Sequence, residues 1–333
     1  MSSAPVFSHW FSLAAADSRY GVRLHVGPTV PAPLRPFAFE PFLFLRPEHL
    51  NLQPFEGEIF AFYLEDSKTQ QTVAQWHTFV ATGAEVAYSP WQAPFGSLQL
   101  AAGLEIAALR AFVEAARTEL AQRGIRQIRL KSYPFAYDPA ASALLTDVLV
   151  HQGFRVTLAE LNNQLPLARD FRAHLVTAQE LRLKRCHRAG FVFEQESPLL
   201  LTPAHAFISA CRREKGHSEP LSLERLQELF AKFPRDHFLF SIRDAAGEWA
   251  ALAIVVQISS KVLYSFYLAS PLSYNLFSPV VMLLEGIHGF GRANGHRLLD
   301  IGTSTLPTGL NASLLAFKRH IGGVPGLKLT FEI

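Results

Sequence analysis

Apolar residues recur along this chain in two rhythms, and the changes of rhythm divide it into elements. Glu58–Leu64 and Thr72–Val80 are short runs rich in aromatic and β-branched residues. The turn-forming Glu65-Asp66-Ser67-Lys68 separates them, so they predict an antiparallel hairpin. Leu109, Phe112, Val113, Ala116 and Leu120 follow the i, i+3, i+4 spacing of one buried helix face. They predict a helix over Leu104–Arg123 that Gly124 is placed to cap. A strand Ile128–Lys131, a helix Ala140–Gln152 ended by Gly153, and a strand Arg155–Leu161 follow. Upstream, Pro28, Pro31, Pro33, Pro36, Pro41, Pro47 and Pro54 fix φ and remove backbone donors, which predicts an extended segment with at most short strands. Phe37, Phe39, Phe42 and Phe44 would pack it onto the first domain. Tyr88–Ser97 reads as an aromatic loop, with Trp91 either walling a cleft or simply packing.

The second half predicts a helix Ala178–Ala189, a strand Phe191–Gln195, helices near Pro203–Arg213 and Leu223–Phe230, and strands His237–Arg243, Trp249–Ser259 and Lys261–Ala269. Ser278 as N-cap with Pro279 at the first helical position opens a helix to Asn294. Strand Leu298–Ile301, helix Ser313–His320 and strand Leu327–Glu332 complete it. Both halves therefore carry a helix–strand–helix–glycine unit: Gly153 lies 29 positions after Gly124, and Gly323 lies 28 after Gly295. The repeat predicts two similar α/β domains, each an α+β mixed sheet, over 1–168 and 169–333, with a cleft for a substrate. A dinucleotide-binding fold would alternate strand and helix from its start. Gly289-Phe290-Gly291-Arg292-Ala293-Asn294-Gly295 lies late in a helix and before a strand, the wrong order for a phosphate loop.

The chain has 333 residues, 49% of them apolar and 18% charged, which fits a filled core and excludes disorder. A net charge of +3 gives no global case for nucleic acid. Cys186 and Cys211, without zinc or C-x-x-C spacing, read as buried thiols in a reducing compartment. No metal is implied, because no cluster has ligand spacing. Met1–Leu13 lacks the basic and apolar regions of a secretory signal, and no apolar run is long enough to span a membrane, so the cytoplasm is the expected location.

The order of antiparallel strands, helix, strand, helix and strand resembles the GNAT acyltransferase fold. Two tandem copies are similar to the Fem-type peptidyltransferases and to double-GNAT proteins with a BioF-type acetyltransferase-like domain. The resemblance rests on the last seventy or so residues: Tyr267-Leu268-Ala269-Ser270, then Ser278-Pro279, Gly295, Leu299-Asp300-Ile301-Gly302-Thr303-Ser304, Gly309-Leu310 and Phe317-Lys318-Arg319-His320-Ile321-Gly322-Gly323. The N-terminal half matches in element order alone. The resemblance implies that the strands Lys261–Ala269 and Leu298–Ile301 are parallel neighbours that splay. An acyl donor's amide-rich arm would then bind there as an added strand. It further implies that Lys318 stabilises the developing negative charge with Phe317 beside it, and that Ser270, Ser278, Gly302 and Ser304 line the donor site.

Each of these residues also has a purely structural reading. Lys318, Arg319 and His320 lie near a helix C-terminus, where positive charge is favourable anyway. Asp300 would orient or deprotonate an attacking amine, or accept bonds from a neighbouring loop. Strict strand alternation puts Tyr264 and Tyr267 on opposite faces, with Tyr267 the preferred site residue or else a core tyrosine. Acetyl-CoA enzymes of the GNAT type carry a Q/R-x-x-G-x-G/A loop. Here Ser270–Ser278 has neither glycine nor basic residue. That absence is shared with Fem-type proteins, whose donor is an aminoacyl-tRNA. Arg182, Lys184, Arg185, His187 and Arg188 form one basic cluster and Arg212, Arg213 and Lys215 another, to meet phosphates or to solvate helix faces. The implied function is an acyltransferase, with no permanently bound cofactor. Acyl-CoA or aminoacyl-tRNA would be the donor, and a small amine or cell-wall precursor the acceptor. The alternative is a catalytically silent double-GNAT protein that binds a ligand.

Overall fold

A computed structural model describes residues 7–13 and 19–333. Part of the N-terminal stretch read for a signal, residues 1–6, lies outside the described residues. The chain divides into two compact units, Met1–Glu160 with Leu327–Ile333, and Leu161–Gly326. No helix among the described residues is long and apolar enough to cross a membrane.

The first unit contains β1 (Phe7–Ser12), β2 (Tyr20–Gly27), α1 (Pro47–Leu50), β3 (Gly57–Asp66), β4 (Gln71–Ala81), β5 (Val86–Ser89), β6 (Gln99–Leu100), α2 (Ile106–Gln122), β7 (Gln127–Lys131) and α3 (Pro139–His151). Its sheet runs β1-β2-β3-β4-β5-β7, with β6 beside β4. Every pair is antiparallel except β5–β7, which is parallel. Helices α2 and α3 cover one face through Leu109, Phe112 and Val113, part of the stripe seen in the sequence, and through Leu145 and Leu149. The proline-rich segment covers part of the other face, where Val30, Leu50, Phe37 and Phe55 pack on Ile59, Ala61, Tyr63 and Phe79.

Four strands here, β1, β2, β5 and β6, were not predicted. β2 alternates Val22, Leu24 and Val26, which enter the core, with Arg23 and His25 on the opposite face. Arg23 Nε bonds Glu65 Oε1 of β3 at 2.7 Å. β5 includes Tyr88 and Ser89, which the sequence had placed in a loop.

A strand β8 (Arg155–Pro166) leads into the second unit, which continues with α4 (Thr177–Arg188), β9 (Val192–Glu196), α5 (Leu201–Glu214), α6 (Leu223–Lys232), β10 (His237–Arg243), β11 (Trp249–Ser259), β12 (Val262–Ala269), α7 (Val280–Ala293), β13 (Leu298–Thr303), the hairpin β14 (Thr305–Leu306) and β15 (Gly309–Leu310), and α8 (Ala312–His320). The sheet order is the end of β8, then β13-β12-β11-β10-β9. Helices α4 and α7 bury Leu183, Cys186, Leu283 and Ile287 on one face. Helices α5 and α6 bury Ala204, Ile208, Leu226 and Phe230 on the other. A sheet covered on both faces needs apolar residues at every position. β11 meets this with Ala250-Ala251-Leu252-Ala253-Ile254-Val255-Val256, all buried. β16 (Val324–Glu332) ends the chain and returns to the first unit, where Thr330–Glu332 pair antiparallel with Arg129–Lys131 of β7.

The α7 start differs from expectation. Ser278 does not cap it: Pro279 holds the N-cap position, no side chain caps the helix, and Ser278 adopts φ +51°. The left-handed glycine that ends the second repeat is Gly322, at φ +85°, one position before the Gly323 of the repeat spacing.

Candidate active site

The second unit's two parallel strands part company early. β12 and β13 pair at Val262 with Leu298, Leu263 with Leu299, and Tyr264 with Asp300, and at no later position. Both strands are irregular at that level. On β12, Ser265 opposes Val255 and Tyr267 opposes Ile254, so Phe266 is a bulge with no partner on β11. On β13, the register against β8 slips between Asp300 and Thr303, where Gly302 takes φ +77°. A bulge bends its strand and increases its local twist. Two bulges at one level turn the neighbours apart and leave β12 from Ser265 onward with no strand opposite on the β13 side.

The bulge also corrects the alternation argument. The Tyr264 and Phe266 rings lie 5.9 Å apart and the Phe266 and Tyr267 rings 4.6 Å apart, so all three share a face rather than splitting across two. The Tyr267 hydroxyl accepts from Leu221 N at 2.9 Å, and the Arg212 guanidinium stacks over its ring at 5.5 Å. Burial raises its pKa above the ordinary tyrosine value. Tyr267 is thus engaged with the loop before α6.

Four of the other predicted residues, Lys318, Asp300, Gly302 and Ser304, converge around the exit of β13. Lys318, on α8, is 5% exposed, and its Nζ donates to Gly302 O at 2.8 Å and Thr303 O at 2.7 Å. Burial pushes its pKa down to about 8, and the Asp300 carboxylate opposes the fall. Asp300 Oδ1 accepts from Gly302 N at 2.7 Å and from Asn162 Nδ2 at 2.9 Å. Ser304 Oγ accepts from Asn163 Nδ2 at 3.0 Å, while its backbone N donates to Leu161 O at 2.7 Å. Phe317 is half-buried against the core under α7. Ser270 is turned away: its Oγ donates to Ala250 O at 2.9 Å, and its carbonyl accepts from Lys215 Nζ at 2.6 Å.

Asn162 and Asn163 were not among the predicted residues. Their signal was present, since two consecutive asparagines are poor strand formers, yet they sit in β8 and are fully covered. Asn163 Oδ1 and Ser265 Oγ are buried with no hydrogen-bond partner among the described residues. No group of His, Cys, Asp and Glu among the described residues has metal-binding geometry.

The corresponding strands of the first unit stay shut. β5 and β7 pair at four positions, from Val86–Gln127 to Ser89–Leu130. The loop that follows folds back so that Gly96 N donates to Lys131 O at 2.9 Å. A side chain at Gly96 would lie 2.4 Å from Pro90 N, so only glycine fits this return. Phe42, Phe95, Tyr133 and Tyr137 pack beyond it, the two phenylalanines edge-on to each other and to both tyrosines at 5.0–6.1 Å and the tyrosines parallel at 6.5 Å. Trp91 packs on Phe55 and bonds Pro54 O. A concavity of about 530 Å³ in this unit, lined by Val86, Tyr88, Gln127 and Arg155 among others, lies at the N-terminal ends of β5 and β7. Ligands of such sheets bind at the opposite, carboxyl ends.

No protein-family model and no curated protein sequence matches the chain. Solved structures do. FemX aligns over 89% of this chain and 93% of its own, at 11% identity and a TM-score of 0.69. A conserved protein of unknown function from Bacteroides thetaiotaomicron aligns over 82% and 84%, at 11% identity and a TM-score of 0.55. L-PGS from Bacillus licheniformis aligns over 81% and 83%, at 11% identity and a TM-score of 0.53. At these identities the likeness is one of fold alone, and with the splayed strands it identifies the chain's architecture as the Fem-like double-GNAT fold.

Proposed function

We propose that the second unit transfers an acyl or aminoacyl group to an amine, in the opening between β12 and β13, by direct attack and without a covalent enzyme intermediate. The observation that carries the reading is the loss of pairing beyond Tyr264 and Asp300. A donor's amide-bearing arm can add to the exposed edge of β12 as a strand would, and Ser265 Oγ and Asn163 Oδ1 are buried polar atoms that such an arm can satisfy. The attacking nitrogen bonds to the donor carbonyl carbon. The carbonyl electrons move to oxygen, then return to expel the thiolate or alkoxide leaving group, which takes up a proton as the positively charged nitrogen of the adduct loses one, leaving an amide.

An ammonium has three donors. Lys318 directs two at Gly302 O and Thr303 O. The third is available to the oxyanion, and a fixed donor in a dry site is worth far more than one in water. Asp300 receives two hydrogen bonds and favours the charged form of Lys318. Its role is to hold the β13 turn and the lysine's charge, rather than to take the amine's proton. Ser270–Ser278 contributes no phosphate cradle, and Arg185 and Lys215 bond that loop's own carbonyls. This favours an aminoacyl ester over acyl-CoA as donor, with a small amine or cell-wall precursor as acceptor.

A silent ligand-binding protein is the second reading, and it rests on the two carbonyls that Lys318 already satisfies. Transfer from labelled aminoacyl-tRNA and acyl-CoA to a panel of amines separates the two. The catalytic reading expects Lys318→Ala to lower transfer by about 10²–10³-fold while donor binding persists. Unchanged transfer in that variant removes Lys318 from the chemistry. Donor binding by the wild type with no transfer to any amine favours the silent reading.

A further inference from the structure

We infer that the loop joining β12 to α7, together with the helix ends on either side of it, is a docking surface for an anionic lipid bilayer. Successive tight turns run through the loop: Tyr274 N donates to Pro271 O, Asn275 N to Leu272 O and Phe277 N to Tyr274 O. The turns separate two sides. Tyr274 and Phe277 face inward, their rings 6.0 and 5.0 Å from that of Phe191. Leu272, Ser273, Asn275 and Leu276 face outward, and the two leucines are 44% and 66% exposed. No packing demand within the unit accounts for outward leucines four positions apart on a loop that also carries inward aromatics.

The two basic clusters noted in the sequence meet at this loop, one at each end. Arg185 of α4 donates to Leu276 O at 2.6 Å, and Lys215, just past α5, donates to Ser270 O at 2.6 Å. Leu181, 57% exposed, lies one helical turn before Arg185 and extends the apolar side. Residues 177–188 and 212–219 together carry seven basic side chains (Arg182, Lys184, Arg185, Arg188, Arg212, Arg213, Lys215) against three acidic ones (Glu180, Glu214, Glu219), a net of +4. The whole chain has only +3. The loop between the clusters is uncharged.

Aliphatic side chains flanked by Lys and Arg match a bilayer interface, where leucines enter the acyl boundary and cations meet phosphates. RNA recognition instead uses exposed aromatic or guanidinium planes for stacking, and the outward residues of this loop are Leu, Ser and Asn. The surface adjoins the end of β12, so docking would present the opening between β12 and β13 to molecules held at a membrane. The inference is independent of the reaction proposed above, because binding is read without turnover.

The test is co-sedimentation of the full chain with phosphatidylcholine vesicles, with and without phosphatidylglycerol. Binding is expected only with the anionic lipid and should weaken with salt. Lys184→Glu with Arg188→Glu should lower the partition constant by at least roughly 25-fold, about fivefold for each basic residue lost. Leu272→Ser with Leu276→Ser should weaken binding to the same vesicles. All four side chains are exposed and only the surface Lys184–Glu180 pair, worth a few tenths of a kcal/mol, is lost, so the melting temperature should hardly move. The inference is overturned if the wild type ignores phosphatidylglycerol, if it binds neutral vesicles equally, or if both double variants bind as the wild type does. A tRNA complex that the charge-reversed variant loses, without any vesicle binding, would assign the clusters to nucleic acid and overturn it as well.

Discussion

Replacing Lys318 by methionine should alter how stability depends on pH. The stem keeps its packing and the charge is removed. In the unfolded chain the lysine titrates near 10.5, and in the folded unit burial brings it down to about 8. Below pH 8 both states hold the proton, and desolvation of the ammonium opposes folding in full. Between pH 8 and 10.5 the folded state has released its proton and the unfolded state has not, so stability rises with pH. Above 10.5 both are neutral. At 1.36 kcal/mol per pH unit, the interval is worth about 3 kcal/mol. The wild-type stability minus that of Lys318→Met should therefore shift by about 3 kcal/mol in the wild type's favour between pH 7.5 and 10.5. Urea unfolding of both proteins across that range measures it, since other titrating groups cancel in the difference. A flat difference would mean that Lys318 titrates as an exposed lysine, and the argument for a buried, charged donor at the β13 exit would fail. In the same series the transfer rate of the wild type should fall above pH 8, as the ammonium becomes an amine.

Asp300→Asn should move that fall in transfer rate to lower pH, because the carboxylate it removes is what raises the lysine's pKa; a profile that stays put would uncouple the two residues. His237, buried beside Phe230 and Phe233, is held neutral down to about pH 4 by desolvation. The unfolded chain takes up that proton from pH 6.5 downward, so stability is full above 6.5 and lost on acidification, by about 3 kcal/mol at pH 4. His237→Gln should flatten this acid limb in urea titrations, and an unchanged limb would place the proton uptake elsewhere.

The elements of the second half were legible because each is covered on a known face: the α7 stripe and the apolar β11 declare themselves in the sequence. β2 shows the same kind of signal, Val22, Leu24 and Val26 at period two, but it lies between an uninformative N-terminus and the proline-rich segment, with no helix signal beside it to frame it. The bulge at Phe266 was not legible, because it exists only in register with Ile254 and Val255 of β11. A strand read alone alternates strictly, so Tyr264 and Tyr267 were assigned to opposite faces. Lys318 was reached by resemblance and Asp300 by its place at a strand end, but the electrostatic link between them was not. The meeting of Asp300 with Asn162 was not reached at all, since 138 positions separate them and no local pattern links a linker strand to a distant strand exit. Ser278 looked like a helix cap by its position before Pro279, but a left-handed backbone there aims its side chain away from that task.

The repeat predicts two similar units, but similarity of fold does not make two sites, and the difference has a physical origin. In the first unit, opening β5 from β7 would expose Phe42, Phe95, Tyr133 and Tyr137, at about 2–3 kcal/mol for each large ring, so its sheet stays closed. In the second unit two bulges open the sheet, and the opening has a consequence for the backbone. Gly302 O and Thr303 O, deprived of partners on β12, would be buried carbonyls without hydrogen bonds, a costly state. Lys318 supplies those bonds. A neutral donor could do the same, but an amide or hydroxyl offers one or two N–H or O–H groups, whereas an ammonium offers three and carries charge. The residue that makes the splayed strands tolerable thus places a cation, with one donor to spare, where the strands part. The structural and catalytic readings of Lys318 are two consequences of one geometry, and what distinguishes a silent protein from an enzyme is whether a donor carbonyl reaches that third hydrogen.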